Sequence, residues 1–219
     1  MINAVIFDLD GTLIDSERIY RVFWKDVCRK AGYTLTDEQF YQLRSLGHPE
    51  AEALMKRWFG PAFDYTAVQG DCSRRGSDYM EQTGFRKKPG VTEVLEGLKA
   101  RGIRTAIATA TEIGKARRSL MKAGIDPEAF DNIISADGIA HGKPAPDVYL
   151  FAADAMGLPA AECLAAEDSP NGIRAAHDAG MYVVYVPDLT PPEDGDRPYF
   201  HETVPALDGI LPMVDRLNS

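Results

Sequence analysis

The sequence predicts an α/β protein, with a three-layer α/β/α parallel sheet core and an inserted helical domain. Three observations point there. Five short apolar runs, at residues 4–7, 105–108, 132–135, 163–166 and 182–186, are separated by stretches of helical spacing, and strands alternating with helices build a parallel, doubly wound sheet. Between residues 16 and 88 the strand signal disappears and helical patterns alone remain. With 219 residues, 45% of them apolar, the chain is long enough for one large domain or a domain carrying an insertion.

The first strand, Ala4-Val5-Ile6-Phe7, is short, β-branched and aromatic, and it ends at a turn signal. The inserted block then offers "IYRVFWKDVCRKAG" (19–32) and "EAEALMKRWFG" (50–60) as helices, with Phe23, Trp24, Trp58 and Phe59 expected in a core of its own. "FRKKPG" (85–90) is polar and basic and closes on Pro-Gly, the signature of a linker returning to the sheet. The expected division is a core of residues 1–15 and 89–219 and a cap of residues 16–88. In "VTEVLEGLKARG" (91–102), Val91, Val94, Leu95 and Leu98 share one helix face and Gly102 is the stop. Similar helices precede the later strands. The Pro-rich, acidic stretch 187–205 reads as a loop, and residues 206–219 as a closing helix.

A net charge of −9 argues against a nucleic-acid partner, because phosphate backbones are bound by clustered Lys and Arg. Three cysteines, Cys28, Cys72 and Cys163, have neither metal-ligand spacing nor a CxxC pair, which argues for a reducing compartment. The chain has no window near the roughly 20 apolar residues of a membrane span and no leader pattern. A cytoplasmic protein without a membrane partner, monomeric or a small homo-oligomer, is expected.

The stretch "FDLDGTL" (7–13) places Asp8 and Asp10 two residues apart at the tip of the first strand, so their side chains share a direction. Open parallel sheets bind ligands beyond the carboxyl ends of their strands. Collected at those ends are Asp8 and Asp10, then Thr109, then Lys143 in "HGKPAPD", then Glu167 and Asp168 in "EDSPNG". Such a crowd of acids repels itself, and a hard divalent cation with oxygen ligands relieves it; Mg2+ also pairs carboxylates with a substrate phosphate, which accounts for a lysine among them. Taken singly the pieces are weak: an Asp-x-Asp commonly ends a strand in a solvated turn, Lys143 could solvate its loop, and Ser169 or Asp168 could simply cap a helix. A calcium loop starting at Asp8 fails, because Thr12 and Ile19 stand where it needs an acid or amide and a closing Glu. Order, sheet position and complementary charge together favour a site.

Four ordered motifs, Asp8-Leu9-Asp10-Gly11-Thr12-Leu13, Thr109 in "IATAT", Lys143 in "GKPAPD", and "EDSPNGIRAAHDAGM" from Glu167, resemble those of the haloacid dehalogenase-like superfamily over nearly the whole chain. The arrangement is similar to its helical-cap subfamily, whose core is a Rossmann-like parallel sheet. The resemblance implies a phosphoric monoester hydrolase acting on a small phosphorylated metabolite, with Asp8 as nucleophile and Asp10 as general acid and base. It implies Mg2+ held by Asp8, Asp168 and the backbone carbonyl of Asp10, with Glu167 as ligand or support. Thr109 and Lys143 would complete the catalytic set, and Gly11 and Ala110 would lie against the substrate. An acid at position 10 favours phosphate esters over halides or phosphonates, since an alkoxide leaving group needs a proton. A β-phosphoglucomutase-like phosphomutase uses the same acid, and a non-enzymatic phosphate-binding regulator is the more distant alternative.

Substrate choice is expected in the cap. Arg44 and His48 in "RSLGHPE" occupy a turn where this subfamily displays substrate-contacting residues, and Arg75 in "SRRGSDY" could reach an anionic or polyhydroxyl group. A wet helical face is the competing role for Arg74 and Arg75.

Overall fold

A computed structural model describes residues 1–44, 46–189 and 191–219. Strands β1 (Ala4–Phe7), β2 (Arg104–Thr109), β3 (Asn132–Ser135), β4 (Cys163–Glu167), β5 (Tyr182–Tyr185) and β6 (Glu202–Thr203) form one sheet in the order β3-β2-β1-β4-β5-β6. Every pairing is parallel. β1 is central and buried on both faces, which is why it reads as a continuous apolar run without polar alternation. Its side chains still alternate in destination. Val5 and Phe7 join Ile107 and Leu164 in one apolar layer, whereas Ala4 and Ile6 join Ala106, Ala108 and Ala165 in the other.

Helices α5 (Val91–Ala100), α6 (Ile113–Lys122) and α9 (Ile210–Asn218) cover the first face through Val94, Leu98, Leu120, Ile210 and Met213. Helices α7 (Asp147–Ala155) and α8 (Pro170–Asp178) cover the second through Val148, Tyr149, Ala152 and Ile173. The result is the expected three-layer α/β/α arrangement.

Between β1 and α5 the described residues make four helices: α1 (Glu17–Lys30), α2 (Asp37–Leu43), α3 (His48–Phe59) and α4 (Tyr65–Thr83). They carry their own apolar cluster, which includes Val27, Cys28, Phe40, Met55, Phe63 and Cys72. The outgoing and returning strands of chain lie side by side: Asp15 N donates to Arg86 O at 2.8 Å and Lys88 N to Leu13 O at 2.9 Å. The helical block therefore hangs beside the carboxyl end of β1.

Two local expectations are corrected. The stretch expected as loop at 187–205, of which position 190 lies outside the described residues, contains the edge strand β6 and a 3-10 turn over Asp194–Tyr199. A two-residue strand paired only through Val184 with Glu202 and Tyr185 with Thr203 is too short to show a period. Phe23 is not in the helical cluster; it meets the exposed ring of Tyr79 edge-on at 5.9 Å. Trp24, Trp58 and Phe59 do pack against that cluster.

Candidate active site

The strand order reverses at β1: the chain moves outward through β2 and β3, then crosses back to place β4 on the other side of β1. A crevice opens at such a switch point. In register, Phe7 faces Ile107 on one neighbour and Ala166 on the other, so Asp8, Ala108 and Glu167, one residue further on, lie at one level.

Lys143 ties that level together. Its side chain is fully buried, and Nζ donates to Asp8 Oδ1 at 2.5 Å, to Ala108 O at 3.0 Å and to Glu167 Oε1 at 2.6 Å. Burial alone would lower its pKa, but the carboxylates of Asp8 and Glu167 outweigh that and hold the ammonium charged above its ordinary value. Tyr149 Oη also donates to Glu167 Oε1, at 2.9 Å. The other oxygen, Glu167 Oε2, accepts from Asp168 N at 3.1 Å, Ser169 N at 3.2 Å and Ser169 Oγ at 3.0 Å. Both oxygens of Glu167 are thus committed to protein donors, which makes it the anchor of the lysine and of the α8 N-terminus. The fit there is close: a Cβ on Gly172 would lie 1.8 Å from Glu167 Oε1.

Asp8, Glu167 and Asp168 bring one oxygen each within 4.8 Å of one another. Asp8 Oδ2 is buried and has no hydrogen-bond partner among the described residues. Burial pushes the Asp8 carboxyl well above its usual range; Lys143 opposes this, and Glu167 and Asp168 add to it. Asp168 is likewise raised, by burial first, with Arg44 opposing. Thr12 Oγ1 donates to Asp168 Oδ1 at 3.0 Å and the buried Arg44 Nη1 to Asp168 Oδ2 at 3.2 Å. Gly11 has φ +95, and a Cβ there would sit 2.4 Å from Asp168 Oδ2, so this turn tolerates no side chain.

Asp10 points the same way as Asp8, while Leu9 between them is fully buried in the apolar core. Asp10 accepts from Ser16 Oγ at 2.6 Å and from Thr111 Oγ1 at 2.7 Å. Thr109 Oγ1 accepts from Thr111 N at 3.0 Å, which leaves its own O–H to donate elsewhere.

These groups floor a cavity of about 370 Å³ between sheet and helical block. Of the residues singled out in the sequence, Asp8, Asp10, Thr109, Ala110, Arg44 and His48 line it. Position 45, next to Arg44 in the sequence, lies outside the described residues. Arg75 is not brought there. Its guanidinium pairs with Asp26 at 2.5 Å and with Asp71, one turn earlier on its own helix, at 3.2 Å. Sequence reasoning did not propose several of the lining residues, among them Glu17, Tyr20, Lys115 and Thr111. Glu17 opens α1 beside the site, where burial, opposed by Arg44, pushes its carboxyl up to about 8. Tyr20 and Lys115 face each other across the cavity, with the ammonium 5.1 Å from the ring centroid.

A family model described as haloacid dehalogenase-like hydrolase matches residues 2–180. The chain belongs to the haloacid dehalogenase-like hydrolases. The "Protein CbbY" of Rhodobacter capsulatus is 34% identical over 196 residues, covering 85% of this chain and 86% of that protein. "Hexitol phosphatase A" of Escherichia coli (strain K12) is 31% identical over 186 residues, covering 84% of this chain and 82% of its own. Among solved structures, "beta-Phosphoglucomutase (pgmB)" from Clostridium difficile superposes with a TM-score of 0.84 at 20% identity, covering 99% of this chain and 96% of that one, a likeness of fold. Membership of the haloacid dehalogenase-like hydrolases, with a phosphatase-named relative at this identity, makes the chain an enzyme of the phosphatase class. No helix among the described residues is long and apolar enough to cross a membrane.

Proposed function

We propose that this enzyme is a Mg2+-dependent phosphatase of small phosphorylated sugars or polyols, working through a phosphoryl group carried on Asp8. The observation that carries the reading is the asymmetry of Asp8: Oδ1 is held by Lys143, while Oδ2 is buried at the switch point without a partner among the described residues. A carboxylate oxygen kept dry, unpaired and next to a fixed cation is a nucleophile waiting for an electrophile and a counter-ion. The name of the hexitol phosphatase relative supports a phosphorylated polyol or sugar as substrate class.

The donor set fits Mg2+. All its members are oxygens, and the carboxylates of Asp8 and Asp168 approach within 4.8 Å of each other beside Glu167. Asp8, Asp168 and the backbone carbonyl of Asp10 would hold the ion, with Glu167 supporting from behind through Lys143. Bound there, Mg2+ supplies positive charge against the phosphoryl oxygens and lowers the repulsion between an anionic ester and an anionic nucleophile.

Asp8 Oδ2 attacks phosphorus, the bond from phosphorus to the ester oxygen breaks, and Asp10 gives that oxygen its proton. Asp10 then takes a proton from water, the water oxygen attacks phosphorus, and Asp8 is regenerated as phosphate leaves. The hydroxyls of Ser16 and Thr111 rotate, so the same two contacts hold Asp10 whether it is protonated or ionised. Thr109 donates its free O–H to a phosphoryl oxygen. Lys143 stays charged throughout and balances Asp8 and Glu167. The helical block acts as the cap that covers the site, and Arg44 and His48 face the substrate from it. A cytoplasmic setting is supported by three buried cysteines that form no disulfide with one another.

The test is a screen of purified enzyme with Mg2+ against phosphorylated sugars and polyols, following free phosphate and sugar-phosphate isomers separately. Phosphate release bears out the reading. Isomer formation without release would replace it with a phosphomutase, and neither would replace it with a phosphate-binding regulator.

A further inference from the structure

Two of the long cations that line the cavity are Arg44 and Lys115, and their situations differ. Arg44 is engaged with Asp168 at 3.2 Å, and Lys143, beneath the floor, is engaged with Asp8 and Glu167. Lys115 leaves core helix α6 and reaches across the seam to the helical block, where Nζ donates to Ser73 Oγ of α4 at 3.2 Å and lies 5.1 Å from the Tyr20 ring of α1. Both partners are neutral, and among the described residues no carboxylate forms an ion pair with it. Burial lowers its pKa, Arg118 adds to this, and the carboxylates of Asp10 and Glu112, which also line the cavity, oppose it without pairing with it. A lysine so enclosed bears a desolvation cost that a hydroxyl and a ring face offset only in part. In a protein of net charge −9, an unpaired ammonium inside the reaction cavity is a receptor for negative charge.

We infer that Lys115 binds a second anionic group of the substrate, so that preferred substrates carry a carboxylate or a second phosphate in addition to the ester that is cleaved; this rests on the phosphatase reading above. The cleaved phosphate is served by Asp8, Thr109 and Lys143 at the sheet edge, whereas Lys115 stands on the helix after β2, against the cap. Binding energy gained there, away from the reacting atoms, helps hold core and cap together around the substrate. Lys115 is therefore a specificity-determining residue outside the four motifs.

The experiment uses two matched pairs: glycerol 3-phosphate against 3-phosphoglycerate, and fructose 6-phosphate against fructose 1,6-bisphosphate. Phosphate release is measured for the native enzyme, Lys115→Met and Lys115→Arg. Binding of the same four compounds is measured by calorimetry in the Asp8→Asn background, which reads recognition without turnover. The native enzyme should favour the doubly anionic member of at least one pair. Lys115→Met should cut that preference by roughly 10- to 100-fold, the span of one charge-assisted contact, chiefly through KM, and Lys115→Arg should retain most of it. The pair that responds tells carboxylate from phosphate. No preference in either pair, or one that survives Lys115→Met, overturns the assignment. A Lys115-dependent binding preference without phosphate release from any compound keeps the anion site and refutes the phosphatase reading; release without preference does the reverse.

Discussion

Replacing Lys143 by methionine keeps the length of the side chain and removes the ammonium on which the site's electrostatics turn. Three acceptors lose their donor, and they lose unequally. Glu167 keeps Tyr149 Oη and three donors from Asp168 and Ser169, while Asp8 keeps nothing, because its Oδ2 is already without a partner. Removing one member of a buried ion pair costs about 3–5 kcal/mol, and here that cost falls mainly on Asp8. Asp8 has a way out, since burial already raises its pKa and Lys143 is the main opposing influence. In the variant the folded carboxyl is raised further above its unfolded value. A raised folded pKa contributes stability that is full below the unfolded pKa and is lost as pH rises through the folded pKa. Lys143→Met should thus be mild near about pH 5 and cost the full 3–5 kcal/mol near about pH 8. Urea unfolding in the presence of a chelator measures it, and Asp8→Asn combined with Lys143→Met should recover most of the loss at the higher pH. A cost that stays below about 1 kcal/mol at every pH, or a double variant no more stable than the single one, would refute the reasoning.

Asp10→Asn should slow turnover by roughly 10²- to 10⁴-fold, the range of general acid-base help, mostly in kcat; steady-state assays that show a smaller loss would remove Asp10 from proton transfer. Gly172→Ala drives a methyl into Glu167, 1.8 Å from Oε1 without relaxation, and should destabilise by about 1–3 kcal/mol in thermal or urea unfolding. Because burial raises both Asp8 and Asp168, protons compete with the metal for the same oxygens. The rise in Tm produced by Mg2+ should therefore be larger near about pH 8 than near about pH 5.5, where more of the apo protein must shed a proton to bind it; scanning calorimetry with and without the ion checks the sign.

The strands and the acids at their tips were legible because burial on both faces writes an uninterrupted apolar run, and a charged residue ending such a run stands out. Asp8, Lys143, Glu167 and Asp168 come from chain positions up to 160 apart, yet each marks its own strand end or loop, so one topological rule collects them. Tyr149 was not legible: on α7 it belongs to the same apolar stripe as Val148 and Ala152, and only packing shows its hydroxyl reaching Glu167. Ser169 takes the capping role the sequence offered it, accepting from Gly172 N at 3.0 Å, and also donates to Glu167, which the sequence did not show. Arg75 misled because sequence shows charge and not its claimants; Asp26 on a neighbouring helix takes it up. Lys115 gave no signal because its meaning lies in the missing counter-charge, a property of three elements together. β6 escaped because an edge strand of two residues has no pattern to read.

The central claim, that Asp8 receives the phosphoryl group, is most directly tested by trapping it. Asp10→Asn enzyme, slowed in the water step, is incubated with Mg2+ and a phosphorylated sugar that the native enzyme turns over, quenched in acid, and its peptides weighed. The peptide containing Asp8 should carry the mass of one phosphoryl group, lost on treatment with hydroxylamine and absent when Asp8→Asn is added to the variant. A phosphoryl group on any other residue, or none on a variant shown to be still turning over, would contradict the account.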